Sequence, residues 1–166
     1  MNIKNDRGYI YIETLITIVI IGIIFAASAT IGRNFLLNTM AEYEATKLIS
    51  IIRYVQELNR NSYIVREGEF EQIEPANSTT FRISIEDYFY QIKSSSDKFE
   101  PRKCTTIKNV TLSKNQPFND GIRFYTDGTP KTFGTIQVKS KIGTKTASRY
   151  VIIDKAGRIR MDRNPP

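Results

Sequence analysis

The feature that most constrains this chain is a long run of uncharged residues close to its start. Nineteen consecutive residues, from Thr14 to Gly32, carry no charge. A helix rises about 1.5 Å per residue, so this run spans about 28 Å, close to the thickness of a bilayer's hydrocarbon core. Four β-branched residues in a row, 18–21, disfavour a helix in water. In lipid the backbone must satisfy its own hydrogen bonds, so the run predicts a membrane-spanning helix rather than a buried core helix.

The residues before this run carry a distinctive arrangement of charge. The leader-like stretch MNIKNDRG occupies residues 1–8, and YIYIE follows at 9–13. Glu13 thus lies at the border of the apolar run, where an unpaired ionised carboxylate is costly. We expect it to have a charge partner or to be protonated. The two basic residues of the stretch favour a cytoplasmic N-terminus, and AASA at 26–29 leaves a secretory-signal cleavage site as the alternative.

The segment RGYIYIETLITIVIIGII resembles the class III signal of type IV pilins and pseudopilins. The resemblance implies that a prepilin peptidase removes residues 1–8 by cutting between Gly8 and Tyr9, and that Tyr9 becomes the N-methylated mature start. It also implies that Glu13 pairs with the N-terminal ammonium of a neighbouring subunit during assembly. The chain departs from the family pattern in two ways: the first mature residue is usually Phe, and the apolar run lacks the proline of many major pilins.

Beyond Arg33 the apolar residues follow helical spacing, and charged residues stand between them. The apolar stripe consists of Leu37, Met40, Leu48, Ile51, Ile52, Val55 and Leu58. The charged residues assigned to the outer faces are Glu42, Glu44, Lys47, Arg53, Glu57 and Arg60. Asn59-Arg60-Asn61 is typical of a helix end. We therefore predict one helix from about Tyr9 to Asn59, with a transmembrane half at 9–33 and an amphipathic half at 34–60.

Residues 61–166 are predicted to form an antiparallel, β-rich globular domain, which makes the fold class α+β. Strands are predicted at Thr80–Ile85, Asp87–Lys93, Thr106–Leu112, Gly121–Thr126, Thr135–Ile142, Ser148–Asp154 and Arg158–Asp162, and a weaker one at Ser62–Arg66. Turns are predicted at Asp127-Gly128, Gly143-Thr144 and Lys155–Gly157. The acidic stretch 67–74 is predicted to be a loop or an edge, and residues 94–101 a loop.

The C-terminal half resembles a narrower group. GIRFYTDGTPKTFGTIQVKS and SRYVIIDKAGRIRM are similar to the C-terminal domain of GspH/FimT-type pseudopilins and minor pilins, and competence pseudopilins of Gram-positive bacteria end similarly. The resemblance implies a type IV pilin-like fold, with the long N-terminal helix packed on antiparallel sheet.

The same resemblance implies a structural subunit of a type II secretion pseudopilus or type IV pilus. Its partners would be other pilins or pseudopilins, the prepilin peptidase and the assembly platform of the cytoplasmic (inner) membrane. The implied location is that membrane, crossed once with a cytoplasmic N-terminus and an extracytoplasmic C-terminal domain, and then the filament.

The net charge of +7 comes from the C-terminal end, since residues 131–166 carry nine basic and two acidic groups. Such asymmetry favours an anionic partner, and a solvated basic face is the alternative. In the last predicted strand Arg158 and Arg160 would share one face, about 7 Å apart, in an arrangement suited to phosphate. Ile159 and Met161 would face the core.

GRIR at 157–160 also resembles the Gly-Arg-x-Arg terminus with which DNA-uptake members of this family hold DNA. The candidate DNA-binding residues are Arg158, Arg160, Lys155, Arg149 and Arg163. The alternative function is therefore a DNA-binding minor pilin of a competence pilus, and the competing interpretation is a structural hairpin with solvated arginines.

Composition excludes most catalytic chemistry. The chain has no histidine and a single cysteine, Cys104, which rules out histidine-dependent catalysis, an internal disulfide and a CxxC metal or redox pair. Neither GxxxxGK[ST] nor GxGxxG occurs, and the glutamates of 67–74 lack the EF-hand spacing. We expect no enzyme activity, no cofactor and no metal site.

Overall fold

A computed structural model of the chain describes residues 6–60, 64–66, 69–71, 81–94, 101–114 and 118–165. The fold is α+β: one long N-terminal helix, α1 (Asp6–Arg60), precedes antiparallel sheets. The chain divides into two compact units, one up to Leu36 and the other from Leu37 on.

The first unit consists of the N-terminal part of α1. Its large apolar side chains between Tyr9 and Ile31 are half to three-quarters exposed. Three hydroxyl groups donate hydrogen bonds of 2.8–3.0 Å to carbonyls of the preceding turn. The pairs are Thr14 with Tyr11, Thr17 with Glu13, and Ser28 with Ile24. These polar groups are thus satisfied within the helix. Among the described residues, α1 alone is long and apolar enough to cross a membrane.

The second unit contains the strands. They are β1 (Ile64–Arg66), β2 (Glu69–Glu71), β3 (Phe81–Glu86), β4 (Phe89–Ser94), β5 (Arg102–Thr105), β6 (Val110–Lys114), β7 (Ile122–Arg123), β8 (Gly134–Ile142), β9 (Lys145–Ile153) and β10 (Ile159–Asp162). β1 pairs with β2 alone, the first sheet has the order β5-β4-β3-β7, and the second has the order β10-β9-β8-β6. Every pairing is antiparallel. A short 3-10 helix at Phe118–Asp120 precedes β7.

Side-chain alternation places one face of each sheet in a shared core. In β3 the inward positions are Ile83 and Ile85, and in β8 they are Ile136 and Val138, as predicted. A buried stripe of α1 completes this core, and it consists of Leu37, Ala41, Ala45, Leu48, Ile52 and Val55. Residues of α1 and of both four-stranded sheets belong to one apolar cluster, so burial of the helix stripe holds the second unit together.

Polar side chains at the contact between the helix and the rest of the second unit fix the helix against the strands. The Asn59 amide donates to the Phe81 carbonyl at 3.0 Å and accepts from the Phe81 N–H at 2.9 Å. At the other end of the stripe, the Ser140 hydroxyl donates to the Leu37 carbonyl at 2.8 Å. The Glu44 carboxylate accepts from the Ile107 N–H at 2.9 Å. These directional bonds define the register of the helix on the sheets.

The assignment of Glu44 to an outer helix face was wrong, because its side chain is fully buried. Lys47 lies 3.6 Å away and neutralises it in part. Burial raises the pKa of the neighbouring Tyr90 phenol, with smaller contributions from Cys104, Glu44 and Tyr43. The backbone N–H of Ile107, in a loop, needs an acceptor, and the buried Glu44 carboxylate supplies it.

Several strand boundaries also differ from prediction. Strand β5 was not predicted, since RKCT is a basic edge strand with no apolar alternation. The strand predicted from Thr106 begins at Val110, after a turn in which Asn109 adopts φ 71°. The strand predicted at 121–126 is reduced to β7 and an isolated bridge between Phe124 and Pro130. The predicted loop at 94–101 lies mostly outside the described residues.

Candidate functional site

The residues predicted for processing and assembly lie in the first turns of α1. Gly8 and Tyr9 are helical, and the Tyr9 side chain is 75% exposed. Glu13 is exposed as well, and no basic side chain of the described residues forms an ion pair with its carboxylate. One helix edge thus presents a carboxylate, unpaired within the described residues, beside an exposed apolar surface.

Two of the five predicted DNA-binding residues line a cleft in the second unit. The cleft has a volume of about 570 Å³ and lies between the end of α1 and the β9–β10 turn. Its lining residues are Arg53, Gln56, Glu57, Asp154, Gly157, Arg158, Ile159 and Arg160. Three guanidinium groups and two carboxylates therefore surround one open space.

Gln56 lines the cleft, and its side chain connects two turns to the helix through hydrogen bonds. Its buried amide donates to the Gly128 carbonyl at 2.7 Å and to the Gly157 carbonyl at 3.2 Å. Gly157 has φ +78°, and a Cβ there would lie 2.6 Å from the Gly128 carbonyl oxygen. The two predicted turns thus approach each other so closely that only glycine fits at 157.

The cleft arginines differ in their partners. Arg158 is 82% exposed at its side chain and lies 3.5 Å from the Asp154 carboxylate. Arg53 donates to the Ile159 carbonyl at 3.5 Å, a long hydrogen bond. Arg160 is exposed in β10, and no carboxylate of the described chain forms an ion pair with it. Exposed pairs of this kind are weak, so the guanidiniums are available to an anion.

Lys155 and Arg163 are close in sequence to residues that line the cleft, but they do not line it themselves. The Lys155 ammonium sits 5.1 Å from the centre of the Phe133 ring. Arg163 is exposed, and its backbone N–H donates to Asp162 at 2.7 Å. The N–H groups of Asn164 and Arg163 hold the pKa of Asp162 below its usual range, so a carboxylate remains charged beside the basic strand.

The structure excludes Arg149 from the candidate DNA-binding residues. Its side chain is 7% exposed, points inward, and pairs with Glu42 at 3.3 Å and Asn38 at 3.4 Å. Alternation along β9 places Arg149 on the same face as Val151 and Ile153, opposite to Tyr150. The expected inward position of Met161 was wrong too: Ile159 is buried, whereas Met161 at the sheet edge is 36% exposed.

Sequence reasoning missed Arg53 and Gln56 as cleft residues. Arg53 was assigned to an outer face, which is correct, but its neighbour β10 lies about a hundred residues away in the chain. For Gln56, the sequence offered one indication of burial: Gln56 directly follows Val55, which belongs to the buried stripe. No group of three or more His, Cys, Asp or Glu side chains that could hold a metal occurs in the described ranges. The Cys104 thiol is free and half-buried.

Comparison of the chain with protein-family models, curated proteins and solved structures finds no match. Function is therefore inferred from the chemistry of the residues themselves.

The close contact of the two turns is testable with two glycines of the same backbone conformation. Gly157→Ala should destabilise the protein by about 1–3 kcal/mol beyond Gly143→Ala. Both positions have positive φ, at +78° and +62°, but a Cβ at 143 meets nothing within 4 Å. Denaturant unfolding of the full chain in detergent, followed by circular dichroism, measures the difference. Equal losses for the two variants would show that the turns do not touch at Gly157.

Proposed function

We propose that the chain is a minor pilin or pseudopilin, a structural subunit of a type II secretion pseudopilus or type IV pilus with a type IV pilin-like fold. Residues 1–8 are its leader, and Tyr9 is its N-methylated mature start. The subunit crosses the cytoplasmic membrane once, with the N-terminus inside, before it joins a filament with other pilins. It acts as a building block and not as an enzyme.

The observation that carries this proposal is the placement of Glu13. It follows the Gly8–Tyr9 junction by five residues and immediately precedes the uncharged run. In the structure its carboxylate is exposed on the same helix segment as the apolar side chains. A lone carboxylate at the border of a membrane helix is costly, whereas an α-ammonium in contact with it offsets the desolvation of both groups.

The proposed assembly step follows from the cost of leaving the carboxylate unpaired and the lower cost of the carboxylate–ammonium pair. Cleavage after Gly8 would create an α-ammonium at Tyr9 in one subunit, and that group would approach Glu13 of a neighbour as the apolar helices pack side by side. The pairing sets the axial register, because a displacement along the helix leaves both charges unpaired in lipid. Apolar packing alone would not select one register.

Removal of this charge tests the proposal. Glu13→Gln should reduce incorporation into sheared filaments at least tenfold, because the ammonium of the neighbour would enter lipid unpaired. Carbonate extraction should still find the variant in the membrane fraction, since the apolar run is unchanged. The matched control is Glu57→Gln, which removes an exposed carboxylate that pairs only with Arg60 within the described chain and should assemble normally. Normal incorporation of Glu13→Gln would refute the assignment.

A second candidate function, DNA binding during uptake, is favoured by the cleft. Arg53, Arg158 and Arg160 converge there from α1 and the β9–β10 hairpin. Guanidinium groups match the geometry of phosphate, and the nearby carboxylates Glu57 and Asp154 oppose binding. In this proposal a competence-pilus subunit would hold the DNA backbone through Arg158 and Arg160, with help from Lys155 and Arg163.

The double variant Arg158→Ala/Arg160→Ala separates the two functions. In an electrophoretic shift assay with the full chain in nonionic detergent, it should weaken DNA binding about tenfold at low salt. It should also reduce the salt dependence, because fewer counterions are released. The control Arg102→Ala/Lys108→Ala removes two exposed cations elsewhere. If both double variants lose affinity equally, the cleft has no specific role in DNA binding.

A further inference from the structure

The outer face of the first sheet carries three cations side by side. Arg82 in β3 is directly opposite Lys93 in β4 on one side and Arg123 in β7 on the other. Directly opposed residues of an antiparallel pair have Cβ atoms about 5 Å apart and point to the same face. We call Arg82, Lys93 and Arg123 the basic row.

Such a row is unfavourable without a counter-charge, because like charges directly opposite each other destabilise a sheet. No carboxylate of the described residues forms an ion pair with any of the three cations. On the same face, the first acidic residue along β3 is Glu86, about 13 Å from Arg82 along the strand. The arrangement therefore lacks local neutralisation within the described part of the chain.

A second observation concerns the guanidinium of Arg123. The Nε of Arg123 is buried and has no hydrogen-bond partner among the described residues. A buried guanidinium N–H that is left unpaired costs free energy. Since the Nε is buried, only the terminal guanidinium nitrogens of Arg123 could reach a group bound above the row.

The neighbouring row supplies further donors. Ser84 is opposite Gln91, and Gln91 is opposite Lys103 in β5. A hydroxyl, an amide and an ammonium thus adjoin the basic row on the same face. Lys103 also lies 4.0 Å from the centre of the Phe89 ring, which restrains its position. Arg and Lys with small polar donors are the groups that hold phosphate oxygens.

We propose that the basic row is a binding site for a phosphate-type oxyanion. The bound group is tetrahedral, with several oxygens that accept from Arg82, Lys93 and Arg123 at once. It is supplied as free phosphate or as a phospholipid headgroup, which share this chemistry. The site lies on the first sheet and uses none of the C-terminal arginines, so it is independent of both functions proposed above.

The first test is thermal unfolding of the full chain in nonionic detergent, with inorganic phosphate compared with chloride at equal ionic strength. The wild-type midpoint should rise with phosphate, because a ligand that binds only the folded state stabilises it. In Arg82→Gln the apparent phosphate affinity should fall about tenfold or more. In chloride alone this variant should unfold no earlier than the wild type, because a repulsive neighbour has been removed.

The matched control is Lys139→Gln, which makes the same charge change on the outer face of the second sheet. Lys139 is exposed, and its direct neighbours are the uncharged Thr111 and Ser148. It should keep the full response to phosphate. An absent response in the wild type, or an equal response in both variants, would overturn the proposal.

The source of the oxyanion is distinguished with three probes. These are inorganic phosphate, a labelled oligonucleotide, and phosphatidylglycerol vesicles compared with phosphatidylcholine vesicles. Arg82-dependent binding of inorganic phosphate or of phosphatidylglycerol vesicles supports the site and identifies its ligand, whereas Arg82-dependent binding of the oligonucleotide alone would overturn the proposal in favour of a nucleic-acid site. A peptide of residues 67–74, which carries four glutamates, serves as the competing protein ligand. Arg82-dependent binding of this peptide without any phosphate response would overturn the oxyanion proposal in favour of an acidic protein partner.

Discussion

Burial of one stripe of α1 against both four-stranded sheets is the interaction on which the second unit depends. Ala41 and Ala45 allow close approach of the backbone, whereas Leu48, Ile52 and Val55 fill the space between the sheets. Apolar burial is non-directional, so it does not by itself fix how the helix lies on the strands. The directional part comes from polar groups on the same face, and these groups bond to the backbone of the strands and loops.

Packing of the same stripe also determines where the candidate site lies. Gln56 follows Val55 and reaches the carbonyls of two turns, which brings the β9–β10 hairpin next to the outer face of α1. Arg53 then faces the arginines at the end of the chain. A cleft with both signs of charge results from core packing, and its net basic character follows from the excess of guanidinium groups. The basic row on the first sheet arises differently, from strand register alone.

Periodicity predicted much of this architecture, since helical spacing and strand alternation report directly on which face is buried. It predicted the extent of α1 and the β8–β9 hairpin, while turn residues predicted the three turns of the C-terminal half. It failed for Glu44 and Arg149, two charged residues that are buried. Their partners, the Ile107 N–H and Glu42, are 63 and 107 residues away in the chain. The basic row could not be predicted from the sequence either, because it depends on the register of three strands.

The central functional claim is that the chain is processed for assembly between Gly8 and Tyr9. Intact-mass and N-terminal peptide spectrometry of the protein purified from its native membrane tests this claim most directly. The predicted result is a mature chain that begins at Tyr9 and carries one N-terminal methyl group. A chain that still begins with Met1, or one that is released from the membrane by a cut near Ala29, would contradict the account.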